Sequence, residues 1–224
     1  MSPTPKLSGE SLIKQPMHKL ALVILTLLVA ALVMGFVAWP ASPMLLAQGN
    51  QLQKASVLQR WQAGEIVVLV RHAERCDQSS NPCLGPADGI TEVGRDAARQ
   101  VGQALDSLGL AHTDLLTSPA TRTVQTAHYL SAQVVPQQEW LAACGATMGA
   151  EVLAHKTAQR NLVLVTHSGC ISDFEAQNGF KNARKAEYTS ALFAAVGPDG
   201  KLQILGTVND SDWPSVLNNQ VAEK

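Results

Sequence analysis

The hydrophobic residues of this chain form one long uninterrupted run near the N-terminus and several short runs further along. Residues 20–39 contain no charged residue and a single hydroxyl group. About 20 apolar residues, each adding about 1.5 Å to a helix, are enough to cross the hydrocarbon core of a bilayer. The pattern therefore predicts a transmembrane helix over residues 20–39, with Trp39 at the membrane interface.

Charges on either side of this run predict its orientation. Before the run Glu10 is the only acidic residue and there are three lysines: Lys6, Lys14 and Lys19. After the run no lysine or arginine occurs before Lys54. This bias favours a cytoplasmic N-terminus and export of the rest of the chain. A cleaved signal peptide, with a processing site within residues 44–48, is the alternative, and it predicts the same destination.

Beyond residue 50, short apolar runs alternate with segments of helical periodicity. The apolar runs predict strands at residues 66–70, 114–117, 133–136, 162–166, 191–196 and 202–207. Helical stripes and capping residues predict helices at residues 51–62, 91–108, 122–131 and 149–159. Gly197-Pro-Asp-Gly200 predicts a hairpin between the last two strands. Together these elements predict an α/β fold, a three-layer sandwich with a mostly parallel central sheet and helices on both faces.

Length and composition limit the organisation and the partners of the chain. Its 224 residues suffice for one domain and a short appendage. We predict a cytoplasmic tail at 1–19, an anchor at 20–39, a linker with a short helix at 40–63, and a folded domain at 64–224. The formal net charge of −1 offers no basic excess, so nucleic acid is not an expected partner.

Polar side chains follow three of the predicted strands at the point where each strand ends. Arg71 and His72 come directly after the first strand. Arg122 lies in the segment after the second strand, and His167 follows the fourth. The carboxyl ends of parallel strands meet at one edge of a sheet, where ligands bind in such folds. Guanidinium groups beside a nucleophilic imidazole are suited to phosphate chemistry.

The motifs around these residues resemble a known family. They are Arg-His-Ala-Glu at residues 71–74, Gly-Ile-Thr-Glu-x-Gly at 89–94, Ser-Pro-x-x-Arg-Thr-x-Gln-Thr-Ala at 118–127, and Thr-His-Ser-Gly at 166–169. This set resembles the phosphoglycerate-mutase-like branch of the histidine phosphatase superfamily, over residues 66–207. Within that branch the positions of the four cysteines are most similar to the exported lipopolysaccharide core heptose-phosphate phosphatases.

The resemblance implies a role for each candidate residue. His72 would attack phosphorus and carry a transient phosphoryl group, while Arg71 and Arg122 would bind the non-bridging oxygens. His167 would donate to the same oxygens in its protonated form. Arg75 could contact a second anionic group of the substrate. This set requires neither a metal ion nor a cofactor.

The proton donor to the leaving group is not evident from the sequence. The branch usually places a glutamate four residues before a glycine that here corresponds to Gly145, but Leu141 occupies that position. Glu139 is the first substitute and Glu151 the second. Without a donor, substrates with good leaving groups would react best.

The four cysteines fit an exported domain. Cys76 and Cys83 bracket a short loop rich in turn-forming residues, which brings its ends together. Cys144 and Cys170 form the natural second pair, although four cysteines allow three connectivities and four free thiols are the alternative. No pair has the spacing of a zinc site.

These features predict a phosphomonoesterase that acts through a phosphohistidine, with phosphorylated lipopolysaccharide core sugars as the suggested substrate. The expected partners are a phosphorylated small molecule or glycolipid and the membrane. The expected location is the bacterial inner membrane, in a single pass, with the catalytic domain in the periplasm. A catalytically weak phosphate-binding module and a phosphomutase are the alternative functions.

Overall fold

The computed structural model describes residues 14–37 and 42–216. The chain divides into two compact units, residues 1–40 and residues 41–224. The predicted interface position of Trp39 and the predicted tail before residue 14 lie outside the described residues.

The first unit contains a single described helix, α1 (Lys14–Val37). Its window His18–Gly35 has the length and apolar composition needed to cross a membrane, and none of it is buried by protein. The hydroxyl of Thr26 donates to the carbonyls of Leu22 and Val23 at 3.0 and 2.8 Å, so this polar group is satisfied within the helix. The helix begins earlier than the predicted residue 20, because apolar patterning indicates only the hydrophobic part of a helix.

The second unit is built around a five-stranded sheet. Its strands are β1 (Ile66–Arg71), β2 (Thr113–Thr117), β3 (Asn161–Thr166), β4 (Ala191–Val196) and β5 (Leu202–Val208), in the order β2-β3-β1-β4-β5. Strands β2, β3 and β1 are parallel, whereas β4 is antiparallel to both β1 and β5. Only β4 therefore runs against the other four strands, and the predicted mostly parallel sheet is confirmed.

Helices cover both faces of this sheet. They are α2 (Gln51–Lys54), α3 (Val57–Gln62), α4 (Glu92–Leu108), α5 (Thr121–Ser131), α6 (Met148–His155) and α7 (Ser168–Gln177). Alternate residues of the central strands enter two separate cores. One core contains residues of α3, α4 and α5, and the other contains residues of α6 and α7. The three-layer architecture follows, because strands buried on both faces require helices on both sides.

Several predicted elements differ from the observed ones. Residues 133–136 form no strand, since Pro136 has no N–H to donate and only Val135 of the run is buried. One bridge from Thr117 to Gln137 replaces the predicted strand. The predicted helix 51–62 is divided into α2 and α3 at Ser56, whose φ of 53° is left-handed. The predicted helix 149–159 is α6, which ends at His155. Helix α7 is an additional element.

Residues predicted as a linker pack onto the sheet. Leu46 is fully buried, and its N–H donates to the carbonyl of Thr207 in β5 at 2.9 Å. A Cβ at Gly206 would lie 2.5 Å from the carbonyl oxygen of Met44, so glycine permits this close approach. Trp61 of α3 is buried and donates from its indole nitrogen to the carbonyl of Gly109 at 2.8 Å.

Helix α4 supports α5, the helix that carries Arg122, through a contact that only glycine allows. A Cβ at Gly102 would lie 2.1 Å from the carbonyl oxygen of Leu130. We expect Gly102→Ala to destabilise the protein by about 1–3 kcal/mol through overpacking, measured by thermal unfolding of the full chain in detergent. Gly169→Ala is the control, because nothing lies within 4 Å of a Cβ there. Equal unfolding temperatures for the two variants would contradict this account of the contact.

Candidate active site

Parallel pairing brings the ends of β1, β2 and β3 together, and the candidate residues lie at these ends. Arg71 is the last residue of β1, and the backbone N–H of His72 donates to the carbonyl of Thr166 at the end of β3. His167 follows β3 directly and precedes α7. Arg122 lies in the first turn of α5, just after β2.

The His72 ring is buried and has a defined tautomer. His72 is only 4% exposed, and its Nδ1 lies 2.9 Å from the carbonyl oxygen of Ala73. Because a carbonyl only accepts, the proton is assigned to Nδ1 and the lone pair to Nε2. Burial, and after it the positive charge of neighbouring groups, lowers the pKa of His72 to about 3. The imidazole is therefore neutral at physiological pH, as a nucleophile must be.

His167 lies beside His72 and contacts protein groups through both nitrogens. The two ring centroids are 5.4 Å apart in an edge-on arrangement. Nε2 lies 2.9 Å from the hydroxyl of Ser118, and Nδ1 lies 3.3 Å from a terminal nitrogen of Arg122. Since a guanidinium only donates, Nδ1 accepts and Nε2 carries the proton. Burial, followed by the charge of Arg122, lowers the pKa of His167 to about 4.

This state of His167 differs from the protonated donor that the resemblance implies. The neutral ring can donate only through Nε2, which here contacts Ser118. Donation to a bound oxyanion would require that contact to be exchanged, or protonation of Nδ1 in place of its contact with Arg122. An anion at the site would favour protonation, because opposite charge raises the pKa of an imidazole.

Both guanidinium groups retain donors without a partner among the described residues. Arg71 donates to the carbonyl of Ala186 at 2.7 Å and stacks on Tyr188, with its central carbon 3.8 Å from the ring centroid. The buried Nε atoms of Arg71 and Arg122 have no hydrogen-bond partner. Burial lowers the pKa of both side chains. Unsatisfied buried donors on a cation favour an anionic ligand at this position.

No carboxylate of this region pairs directly with either arginine. Within residues 42–216, neither Arg71 nor Arg122 forms an ion pair with a carboxylate. Arg75, the predicted contact for a second anionic group, is paired with Asp77 through two hydrogen bonds. The positive charge of Arg75 nevertheless lowers the pKa of Arg122 and His167, so Arg75 adds to the positive potential of the site.

The remaining motif residues hold the strand ends in place. The hydroxyl of Thr126 accepts from the backbone N–H of Ala73 at 2.9 Å and donates to the carbonyl of Arg122 at 2.7 Å. Glu74 accepts from Asn81 and Thr91 at 2.9 and 2.7 Å, and the Asn81 contact contributes most to lowering its pKa. The Glu74 carboxylate thus orders the loop after β1 instead of contacting either histidine.

The cysteines lie in the two predicted pairs. Cys76 and Cys83 have Cα atoms 5.4 Å apart, and those of Cys144 and Cys170 are 5.1 Å apart, with both pairs bonded through sulfur. Cys170 lies in α7. The first bridge closes the loop that contains Gln78, and the side-chain oxygen of Gln78 accepts from the hydroxyl of Tyr188 at 2.9 Å.

The candidate proton donor, Glu139, follows the end of β2. The backbone N–H of Gln138 donates to the carbonyl of Thr117 at the end of β2, and Glu139 is the next residue, with an exposed side chain. Leu141, at the position where the branch usually has a glutamate, is fully buried in the core. Glu151 lies on α6 and approaches His155 at 3.8 Å.

Two residues of the site are absent from the sequence prediction. Ser118 begins the motif at residues 118–127, so that motif is the sequence signal that could have indicated it. Tyr188 has its ring centroid 5.6 Å from that of His72, and it belongs to a loop with no periodic pattern that would indicate this position. In the described part of the chain, no group of three or more His, Cys, Asp or Glu residues is arranged to hold a metal ion.

Comparison with known proteins gives a consistent assignment. Residues 67–142 match the family model of the histidine phosphatase superfamily (branch 1). The chain is 35% identical, over 144 residues, to the lipopolysaccharide core heptose(II)-phosphate phosphatase of Escherichia coli O139:H28, covering 63% of this chain and 70% of the relative. The Salmonella typhi protein of the same name is also 35% identical over 144 residues, with the same coverage.

Solved structures share the fold at low sequence identity. The protein histidine phosphatase SixA complexed with tungstate superimposes with a TM-score of 0.54 at 15% identity, covering 66% of this chain and 98% of that chain. Phosphoserine phosphatase from Entamoeba histolytica gives a TM-score of 0.53 at 13% identity, again over 66% and 98% of the two chains. The sheet and its covering helices are therefore common to these proteins.

The fold and the family match define a phosphatase of the hydrolase class. The chain belongs to the histidine phosphatase superfamily.

We expect the neutral His72 ring to resist protonation. Because its pKa is lowered to about 3, its NMR signals should not titrate between pH 5 and 8, whereas the unfolded chain should titrate near the ordinary pKa of about 6.5. The unfolded state then binds more protons between about pH 3 and 6.5, so this group makes folding less stable as pH falls through that range. The signal is assigned by its loss in His72→Gln, and titration near pH 6.5 would show that the ring is not desolvated.

Proposed function

We propose that this protein is a phosphomonoesterase in which Nε2 of His72 attacks the phosphorus of its substrate. The observation that carries the proposal is a neutral, buried imidazole with its proton on Nδ1, beside two guanidinium groups without carboxylate partners among the described residues. This arrangement supplies a nucleophile and two cationic donors at one point.

The proposed reaction has two steps, phosphoryl transfer to His72 and hydrolysis of the phosphohistidine. In the first, a bond forms between Nε2 of His72 and phosphorus while the ester bond breaks, and the leaving oxygen takes a proton from Glu139. In the second, water attacks the phosphorus of the phosphohistidine and gives a proton to Glu139. The bond between phosphorus and Nε2 breaks, which releases phosphate and restores the neutral imidazole. Phosphoryl transfer depends mainly on positioning and on charge neutralisation, which Arg71 and Arg122 provide.

In this proposal His167 donates to the non-bridging phosphoryl oxygens that Arg71 and Arg122 also bind. The edge-on contact between its ring and that of His72 supports this role. Binding of a phosphoryl dianion displaces the Arg122 contact, raises the pKa of His167 and lets the ring donate as an imidazolium. Arg122 is then free to direct its donors to the anion.

The proposed substrates are phosphorylated sugars of the lipopolysaccharide core. This is supported by relatives named lipopolysaccharide core heptose(II)-phosphate phosphatases. Exposed basic residues at the loop before β4 favour an anionic substrate: Lys181, Arg184 and Lys185. Arg75 would contact a second anionic group after exchange of its Asp77 partner.

We propose that α1 anchors the enzyme in the bacterial inner membrane, with the phosphatase domain in the periplasm. The support is the apolar run at residues 20–39, the lysines that precede it, and two disulfides, which persist in oxidising compartments. Anchoring would raise the local concentration of a membrane-borne substrate.

Phosphoenzyme trapping tests the nucleophile. The full chain in detergent, incubated with a ³²P-labelled phosphomonoester and quenched without acid, should carry label that is lost in His72→Ala, together with phosphate release. His128→Ala, at an exposed position of α5, is the matched control and should retain both. Phosphate release by His72→Ala at the parental rate would overturn the mechanism. Saturable binding of the ester by the parent without phosphate release would favour a binding module instead.

The leaving group tests the proposed acid. We expect Glu139→Gln to lower kcat for an alkyl phosphate by about 10²-fold or more, and to lower it much less for a nitrophenyl phosphate, whose leaving group needs little protonation. Glu151→Gln is the control carboxylate. Equal losses on both substrates would remove Glu139 from the role of proton donor.

A further inference from the structure

A cavity of about 360 Å³ lies on the β4–β5 side of the phosphatase domain, apart from the proposed catalytic residues. Its lining includes Ser42, Ile171 and Glu175, together with the loop that begins at Arg184. Neither histidine of the catalytic site and neither of its two arginines lines it. The volume is within the range of about 300–1,000 Å³ that is typical of small-molecule sites.

A buried carboxyl group without a partner lines this cavity. Glu175, in the second turn of α7, is only 3% exposed. Its Oε2 atom is buried and has no hydrogen-bond partner among the described residues. Burial alone raises the pKa of Glu175 to about 7. An unsatisfied buried carboxyl group lowers the stability of the fold, so its presence at a cavity wall points to a ligand that satisfies it.

The other side of the cavity is positively charged. Arg184 and Lys185 line it, are exposed, and form no ion pair within the described residues. The lining also contains two carboxyl groups, the exposed Glu187 and the buried Glu175, and burial favours the uncharged form of Glu175 by raising its pKa. With Glu175 uncharged, two cations face one carboxylate, which favours an anionic group and disfavours an amine.

Apolar and hydroxyl groups complete the lining. Ile171 and Leu192 provide apolar surface, and the hydroxyl of Ser42 accepts from the backbone N–H of Arg184 at 3.0 Å, which leaves its own proton free to donate. A saccharide ring has C–H faces that suit the apolar wall and hydroxyl groups that suit Glu175 and Ser42. An inorganic anion offers neither.

We propose that this cavity binds a hydroxylated anion of the sugar-acid class, with its hydroxyl groups on Glu175 and its anionic group on Arg184 and Lys185. The site is separate from the phosphoryl centre and adjacent to it. The loop that begins at Arg184 also contributes Ala186, which lines the cavity and whose carbonyl accepts from Arg71. The sugar acid can be a free molecule or part of a glycolipid.

Calorimetric titration with glucuronate tests the site. Glucuronate has no phosphoryl group, so its binding involves no turnover, and a negative result leaves the proposed phosphatase function intact. The full chain in detergent should bind glucuronate saturably, and equally well with tungstate present to occupy the phosphoryl centre. The double variant Arg184→Ala, Lys185→Ala should bind at least about tenfold more weakly. Lys181→Ala is the control, since Lys181 lies in the same exposed loop outside the lining.

The source of the ligand is distinguished by a second titration. An alkyl glucuronide in the same micelles should bind more tightly than free glucuronate if the natural ligand is a glycolipid, and equally if it is a free sugar acid. Both results support the site. Absence of glucuronate binding, displacement of glucuronate by tungstate, or preferential binding of ethanolamine would each overturn the proposal.

Substitution of Glu175 separates a binding role from a structural one. Glu175→Met replaces an unpartnered carboxyl group with an apolar side chain of similar length, so we expect Tm to rise by about 2–4 °C while glucuronate binding is lost. Glu151→Met, at a half-exposed position of α6, should leave both unchanged. A fall in Tm for Glu175→Met, or retained glucuronate binding, would overturn the assignment of Glu175.

Discussion

The guanidinium groups of Arg71 and Arg122 are held at the carboxyl ends of parallel strands, and no carboxylate pairs with them among the described residues. Partly burying a cation without a counter-ion is unfavourable, and the lowered pKa values of both arginines and of His72 and His167 have this common cause. The surrounding structure must therefore supply the free energy that keeps these groups together. A phosphoryl group, with its negative charge, is the natural complement to such a site.

The scaffold meets this requirement through backbone contacts at the strand ends. The register of β1 against β3 aligns Arg71 with Thr166, so His72 and His167 follow as neighbours. Thr126 links the loop after β1 to the first turn of α5. The carbonyl of Ala73 fixes the His72 tautomer. These hydrogen bonds orient the side chains before any ligand binds, which reduces the reorganisation required during reaction.

The sequence predicts the sheet and the location of the site because both depend on short-range patterns. Buried strands read as apolar runs, and parallel order places the ends of those strands at one edge. The contacts of His167 with Ser118 and Arg122 depend on rotamers and tertiary packing, which periodicity does not encode. Tyr188 reaches the site from an irregular loop, so no pattern indicates it. The strand expected at 133–136 is absent because a local apolar run ending in proline cannot form a ladder.

A crystal structure of the full chain with bound vanadate tests the central claim most directly. The account predicts vanadium within bonding distance of Nε2 of His72, with vanadate oxygens accepting from the guanidinium groups of Arg71 and Arg122 and from the His167 ring. Vanadium bonded to Nδ1, or vanadate bound away from His72 with either arginine turned to solvent, would contradict it.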